Sequence, residues 1–98
     1  MRDITPLISP RSIAVIGASS NPTKSGGVRF ANLANGGFKG PLYPINRGAA
    51  EILGHKAYPA LADVPEQIDL VYIVLPQAHV EEAIKQCVAA KARSACII

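Results

Sequence analysis

Asp69-Leu70-Val71-Tyr72-Ile73-Val74-Leu75-Pro76 decides the fold of this chain. Leu70 to Leu75 is an unbroken apolar run between an aspartate and a proline. A strand with one wet face alternates apolar and polar residues; a continuous run marks a strand covered on both faces, as in a parallel sheet. The next residues change period. Val80, Ala83, Ile84, Cys87 and Val88 recur at i, i+3, i+4, i+7 and i+8, which predicts an amphipathic helix from about Ala78 to Lys91. A buried strand running directly into such a helix is half of a parallel crossover unit.

The same alternation extends outward. Ser12 to Gly17 reads as a buried strand ending in glycine, followed by a polar loop from Ala18 to Ser25. Gly26-Gly27 opens a helical segment carrying Val28, Ala31, Leu33 and Ala34, closed by Asn35-Gly36-Gly37. Gly40 to Asn46 reads as a second strand with irregular edges, because it holds Pro41 and Pro44. Ala49 to Leu53 predicts a weak helical turn ended by Gly54, His55 to Tyr58 a short third strand, and Leu61 to Val64 another helical turn. Ala95 to Ile98 starts the last strand. The expected fold is α/β, a Rossmann-like doubly wound parallel sheet with helices on both faces. Strands are expected near 13–17, 41–45, 55–58, 70–75 and 95–98, in the order 3-2-1-4-5.

The chain has 98 residues, 49% hydrophobic and 17% charged. That is one domain's worth, too apolar for disorder and without the roughly 20-residue apolar run of a membrane helix. The apolar stretch at the carboxyl end adds the expectation that residues 1–98 are one domain excised from a longer protein. The net charge of +3 comes from scattered lysines and arginines, and aromatics are 5%. This suits a small polyanion and disfavours both duplex and single-stranded nucleic acid. Cys87 and Cys96 are too few for a disulfide framework, no cluster has metal spacing, and no apolar leader is present, so a cytoplasmic setting is expected.

In such sheets ligands bind beyond the carboxyl ends of the strands, which singles out three loops: Gly17 to Gly27, Asn46 to Gly48, and Leu75 to His79. The first combines glycines with Ser19, Ser20 and Lys24 ahead of the helix start at Gly26, a pattern suited to an anion at a helix N-terminus. It is not G-x-G-x-x-G. Asn46-Arg47 stands where a site for NAD places a carboxylate, and a basic residue there favours a phosphate. The pattern points to a phosphorylated nucleotide; a polar turn with packing glycines fits the same spacing. His55 and His79 read as surface histidines, Cys87 and Cys96 as core, and Glu81-Glu82 as charges complementing the helix dipole in its first turn. No catalytic set of nucleophile, base and orienting group is evident, and no metal site.

Several ordered stretches then resemble one family. They are Ser9-Pro10-Arg11-Ser12-Ile13-Ala14-Val15-Ile16-Gly17-Ala18-Ser19 and Gly36-Gly37-Phe38-Lys39-Gly40-Pro41-Leu42-Tyr43-Pro44-Ile45-Asn46, then Ile52-Leu53-Gly54, Ala57-Tyr58-Pro59, Ile68-Asp69-Leu70 and Val74-Leu75-Pro76. Together they resemble the N-terminal CoA-binding domain of the NDP-forming acyl-CoA synthetases. That group is similar to the succinyl-CoA synthetase α subunit and includes two-domain protein lysine acetyltransferases. The resemblance implies coenzyme A as ligand. It implies phosphate contacts at Gly17-Ala18-Ser19-Ser20, a nucleotide end near Asn46 and Arg47, and a pantetheine path past Leu75 and Pro76. Arg47 departs from the family's usual Pro-Lys at this place. Family members continue into a ligase domain with a phosphorylated histidine and an ATP-grasp domain, the implied partners; His55 and His79 do not match the phosphohistidine motif.

The leading expectation is therefore a CoA-binding module of an ADP-forming acyl-CoA synthetase or related acetyltransferase, not catalytic alone. The alternatives are a stand-alone nucleotide-sensing module of the same fold, or a fragment of an NAD-binding dehydrogenase.

Overall fold

The computed structural model describes residues 9–21, 24–36 and 38–97. Its centre is β1 (Ile13–Ile16), paired in parallel with β2 (Leu42–Ile45) on one side and β5 (Leu70–Ile73) on the other. β5 in turn pairs in parallel with β6 (Ala95–Ile97), giving the order β2-β1-β5-β6. Helix α1 (Ser25–Asn35) connects β1 to β2, and α2 (Gln77–Ala89) connects β5 to β6.

The central strands are buried on both faces because successive residues serve opposite cores. Ile13 and Val15 pack with Leu70, Leu42 and Phe30 of α1. Ala14 and Ile16 pack with Val71, Ile73, Ile45 and, from α2, Ala83 and Cys87. Phe30 is fully buried, and removing such a side chain from water contributes about 2–3 kcal/mol. The two helices thus cover opposite faces. Burial also raises the thiol pKa of Cys87 above its ordinary value, so this cysteine stays a neutral apolar group. Cys96 is half-buried, and Ile97 beside it is 56% exposed, so β6 is less covered than a buried strand would be.

The third strand differs from expectation. Glu51–Ile52 (β3) and His55–Lys56 (β4) form a small antiparallel hairpin in place of a helical turn and a sheet strand. Its two-residue turn has positive φ at Leu53 (49°) and Gly54 (82°), the geometry that matches strand twist in tight hairpins. Among the described residues of this segment, Tyr58 pairs with the main sheet, through a parallel bridge to Ile45. There Asn46 N–H donates to Tyr58 O at 2.9 Å and Tyr58 N–H to Pro44 O at 2.9 Å. Pro44 explains why pairing stops so soon. N–H groups on one strand point the same way every second residue, so Pro44 stands where the preceding donor toward this edge should be, and it has none. The order is accordingly 2-1-4-5 in the expected strand numbering, with strand 3 reduced to one bridge.

Boundaries shift slightly elsewhere. The first, second and fourth strands end or start a residue or two inside their predicted limits, and Ile98 lies outside the described residues. Gly36 caps α1 at φ −89°, a conformation open to any residue, and Gly37 is not among the described residues.

Candidate functional site

Beyond the carboxyl ends of β1 and β2, against α2, lies a cleft of about 390 Å³. Its floor is Ile16, Gly17 and Ala18 at the end of β1, with Ile45 at the end of β2. Ser19, Lys24 and Arg47 bring polar groups from the loops, and Leu75 closes the side toward β5. A second cleft of about 680 Å³ adjoins it, sharing Gly17, Lys24 and Leu75 and adding Ser25, Gly26, Val74 and Pro76. Of the residues singled out from sequence, Gly17, Ala18, Ser19, Lys24, Asn46, Arg47 and Leu75 meet at the first cleft, and Gly26 and Pro76 at the second. Ser20 is exposed beside them and lines neither.

Glycine sets the shape of this end. Gly17 has φ +94°, and a Cβ there would lie 2.2 Å from Val74 O. A Cβ on Gly26 would lie 1.7 Å from Gly17 O. Only bare backbone lets the β1 loop and the start of α1 pass this close. The first turn of α1 carries no acidic residue, and its N-cap, Lys24, makes no side-chain cap hydrogen bond. Helices ordinarily satisfy these first N–H groups with a Ser, Thr, Asp or Asn cap. Here Lys24 supplies no such side-chain acceptor, and the helix start adds positive potential to that of Lys24.

The Asn46 side chain at the cleft is also engaged within the chain. Its Nδ2 donates to Ala18 O at 2.9 Å, and its Oδ1 accepts Gly48 N–H at 2.7 Å and Ala49 N–H at 3.1 Å. The side chain clamps the β1 and β2 loops together. Ser19 Oγ accepts Asn21 N–H at 3.0 Å, which folds the loop back and leaves its hydroxyl proton for another acceptor. Lys24 and Arg47 are exposed and form no ion pair with described residues.

Beyond the Leu75–His79 loop, sequence reasoning missed the wall that α2 builds with Glu82 and Gln86. His79, Glu82 and Gln86 all line the first cleft, with Pro59 opposite. His79 is exposed as expected, yet on the cleft side. Glu81 and Glu82 lie beyond the first turn, which has no acidic residue. Glu81 instead approaches Lys85 at 4.0 Å. The i, i+3, i+7 spacing of His79, Glu82 and Gln86 was legible, but it reads as an ordinary solvated face. His55 is half-buried, with its ring edge-on to Phe30 at 5.6 Å. Among the described residues no group of His, Cys, Asp and Glu could hold a metal ion, and no helix is long and apolar enough to cross a membrane.

The parallel order, the helices on both faces and a cleft beyond the strand ends define a Rossmann-like nucleotide-binding architecture. A family model described as "CoA binding domain" matches residues 11–98, and the chain belongs to that family. It is 38% identical over 96 residues to an ADP-forming acetate–CoA ligase II of Archaeoglobus fulgidus, covering 98% of this chain and 14% of the relative. It is 39% identical over 94 residues to an ADP-forming 4-hydroxybutyrate–CoA ligase of Nitrosopumilus maritimus, covering 96% and 13%. A solved acetyl-coenzyme A synthetase 1 from Ca. Korarchaeum cryptofilum superposes with a TM-score of 0.92 at 42% identity, covering 97% of this chain and 20% of that one. A conserved hypothetical protein of Pyrococcus furiosus superposes with a TM-score of 0.81 at 31% identity, covering 90% of this chain and 74% of that one. The chain thus corresponds to the CoA-binding domain of ADP-forming acetyl-CoA synthetases and spans about one-seventh of the curated ligases' length. None of the relatives described here is an acetyltransferase.

Proposed function

We propose that the two adjoining clefts hold one molecule of coenzyme A. Its diphosphate lies over Gly17, Ala18, Ser19 and Ser20 against the α1 N-terminus near Gly26, with Lys24 between the clefts. Its nucleotide end lies in the first cleft beside Arg47, on the loop that Asn46 positions. Its pantetheine runs through the second cleft past Leu75 and Pro76. The observation that carries this reading is the start of α1, whose N-cap Lys24 makes no side-chain cap hydrogen bond, with Lys24 and Arg47 beside it and neither ion-paired with described residues. A ligand with a diphosphate and a further phosphate offers acceptors to Lys24, Arg47 and the helix start through charge-assisted hydrogen bonds. Coenzyme A brings a thiol for acyl transfer; this chain's residues bind and orient it and hold no reacting proton.

In the longer protein we infer, the domain presents the CoA thiol to further ligase and ATP-grasp domains in the cytoplasm. The purified chain should therefore show no acyl-CoA formation with ATP, CoA and acetate, and turnover there would overturn the module reading. A second reading is a largely self-contained nucleotide-sensing module; in the P. furiosus protein this fold makes up 74% of the chain, so it also occurs with little attached. Sequence downstream of residue 98 in the gene separates the two: ligase domains favour the first, a stop codon the second.

Calorimetric titration tests the site. Loss of one charge-assisted contact costs about 1.5–3 kcal/mol, so Arg47→Ala should weaken CoA roughly ten- to a hundredfold. Dephospho-CoA loses less on that substitution if Arg47 meets the 3′-phosphate, and as much if it meets the diphosphate. Unchanged CoA affinity in Arg47→Ala, or tighter binding of NAD than of CoA, would refute the assignment.

A further inference from the structure

The α2 wall of the first cleft, with His79, Glu82 and Gln86, is not among the residues assigned to the phosphates above. Glu82 and Gln86 stand one helical turn apart on it, both lining the cleft. Gln86 has a fixed polarity: its Oε1 accepts Leu61 N–H at 3.2 Å, which leaves the amide NH2 as a donor. Glu82 is an acceptor only. Between them Ala83 is small and 1% exposed, and Ile45 and Pro59 face it across the cleft, so a flat ring has apolar surface to lie on. The charge of Glu82 repels phosphate. Phosphates are thereby directed to Lys24 and Arg47, and the α2 wall is left to an uncharged part of the ligand.

We propose that Glu82 and Gln86 are specificity-determining residues that read the base of the bound nucleotide, selecting an adenine edge over the 6-oxo edge of hypoxanthine or guanine. The inference rests on the CoA reading above. Adenine donates its exocyclic amine N–H to Glu82 and accepts the Gln86 amide N–H at a ring nitrogen. Hypoxanthine offers a carbonyl oxygen to the carboxylate and an N–H to the amide donor, so both pairs are mismatched. A site built for one hydrogen-bond pattern rejects the reversed one because its polar groups are left unpaired.

The test is the ratio of affinities for adenosine 3′,5′-bisphosphate and inosine 3′,5′-bisphosphate, with CoA titrated alongside. The wild-type chain should favour the adenosine compound by about tenfold or more. Glu82→Ala, at an exposed position, should bring the ratio to within about threefold of one. Gln86→Glu keeps an acceptor for Leu61 N–H while removing the donor, and should lower the ratio in the same direction. Because both compounds carry the same charge, a general electrostatic effect of either substitution cancels in the ratio. CoA binding with a wild-type ratio near one would sink the base-reading role alone, as would a wild-type preference that neither substitution reduces. If none of the three ligands binds, the CoA reading falls and this inference with it.

Discussion

The two ends of the parallel sheet treat polar groups in opposite ways. At the amino end of the strands, Ser12 Oγ accepts Asp69 N–H at 3.1 Å, and Ser12 O accepts Leu70 N–H at 3.2 Å. The Asp69 carboxylate accepts Arg11 N–H at 2.9 Å and pairs with Arg93 Nε at 3.2 Å, while Ser94 Oγ donates to Asp69 O at 2.6 Å. Donors and acceptors there are matched within the chain. At the carboxyl end, two cations stand without ion pairs among described residues beside a helix start without a side-chain cap. A matched network contributes to stability and has nothing left for a ligand. An unmatched one contributes little to stability and is complemented by whatever binds.

This contrast can be broken at either end. The largest effect is expected from Gly26→Ala, whose new Cβ would press on the carbonyl of Gly17. Two backbones must separate to admit it, so urea unfolding should show a loss of about 3 kcal/mol and calorimetry no CoA binding. Next comes Asp69→Ala at the matched end. It leaves Arg11 N–H and the Arg93 guanidinium without their acceptor and should cost about 2 kcal/mol in the same unfolding assay. CoA affinity should stay within twofold. Lys24→Ala is the smallest and the mirror image: stability within about 0.5 kcal/mol, CoA affinity down about tenfold. Equal weakening of CoA by Asp69→Ala and Lys24→Ala would mean that the two ends are not separable.

The sequence made the central sheet readable because burial on both faces leaves a continuous apolar signature at Ile13–Ile16 and Leu70–Ile73. The fate of the third strand was not readable in that way. It depends on Pro44 lacking an N–H on one particular side, and the side is known only once pairing with β1 fixes the register. The site shows the same division. Gly17, Lys24 and Arg47 announced themselves by residue type and loop position. Glu82 and Gln86 did not, because a carboxylate and an amide on an outer helix face look alike whether they meet water or a cleft. Asn46 was legible as a site residue, but its clamp on Ala18 spans 28 positions and only the fold reveals it.

That clamp has a kinetic meaning. One amide fixes the separation of the two loops that face the ligand from either side. On the proposed reading, CoA meets Ala18 and the Asn46 loop already tied to each other. Association is left to diffusion and to steering by Lys24 and Arg47, so the on-rate should fall with added salt.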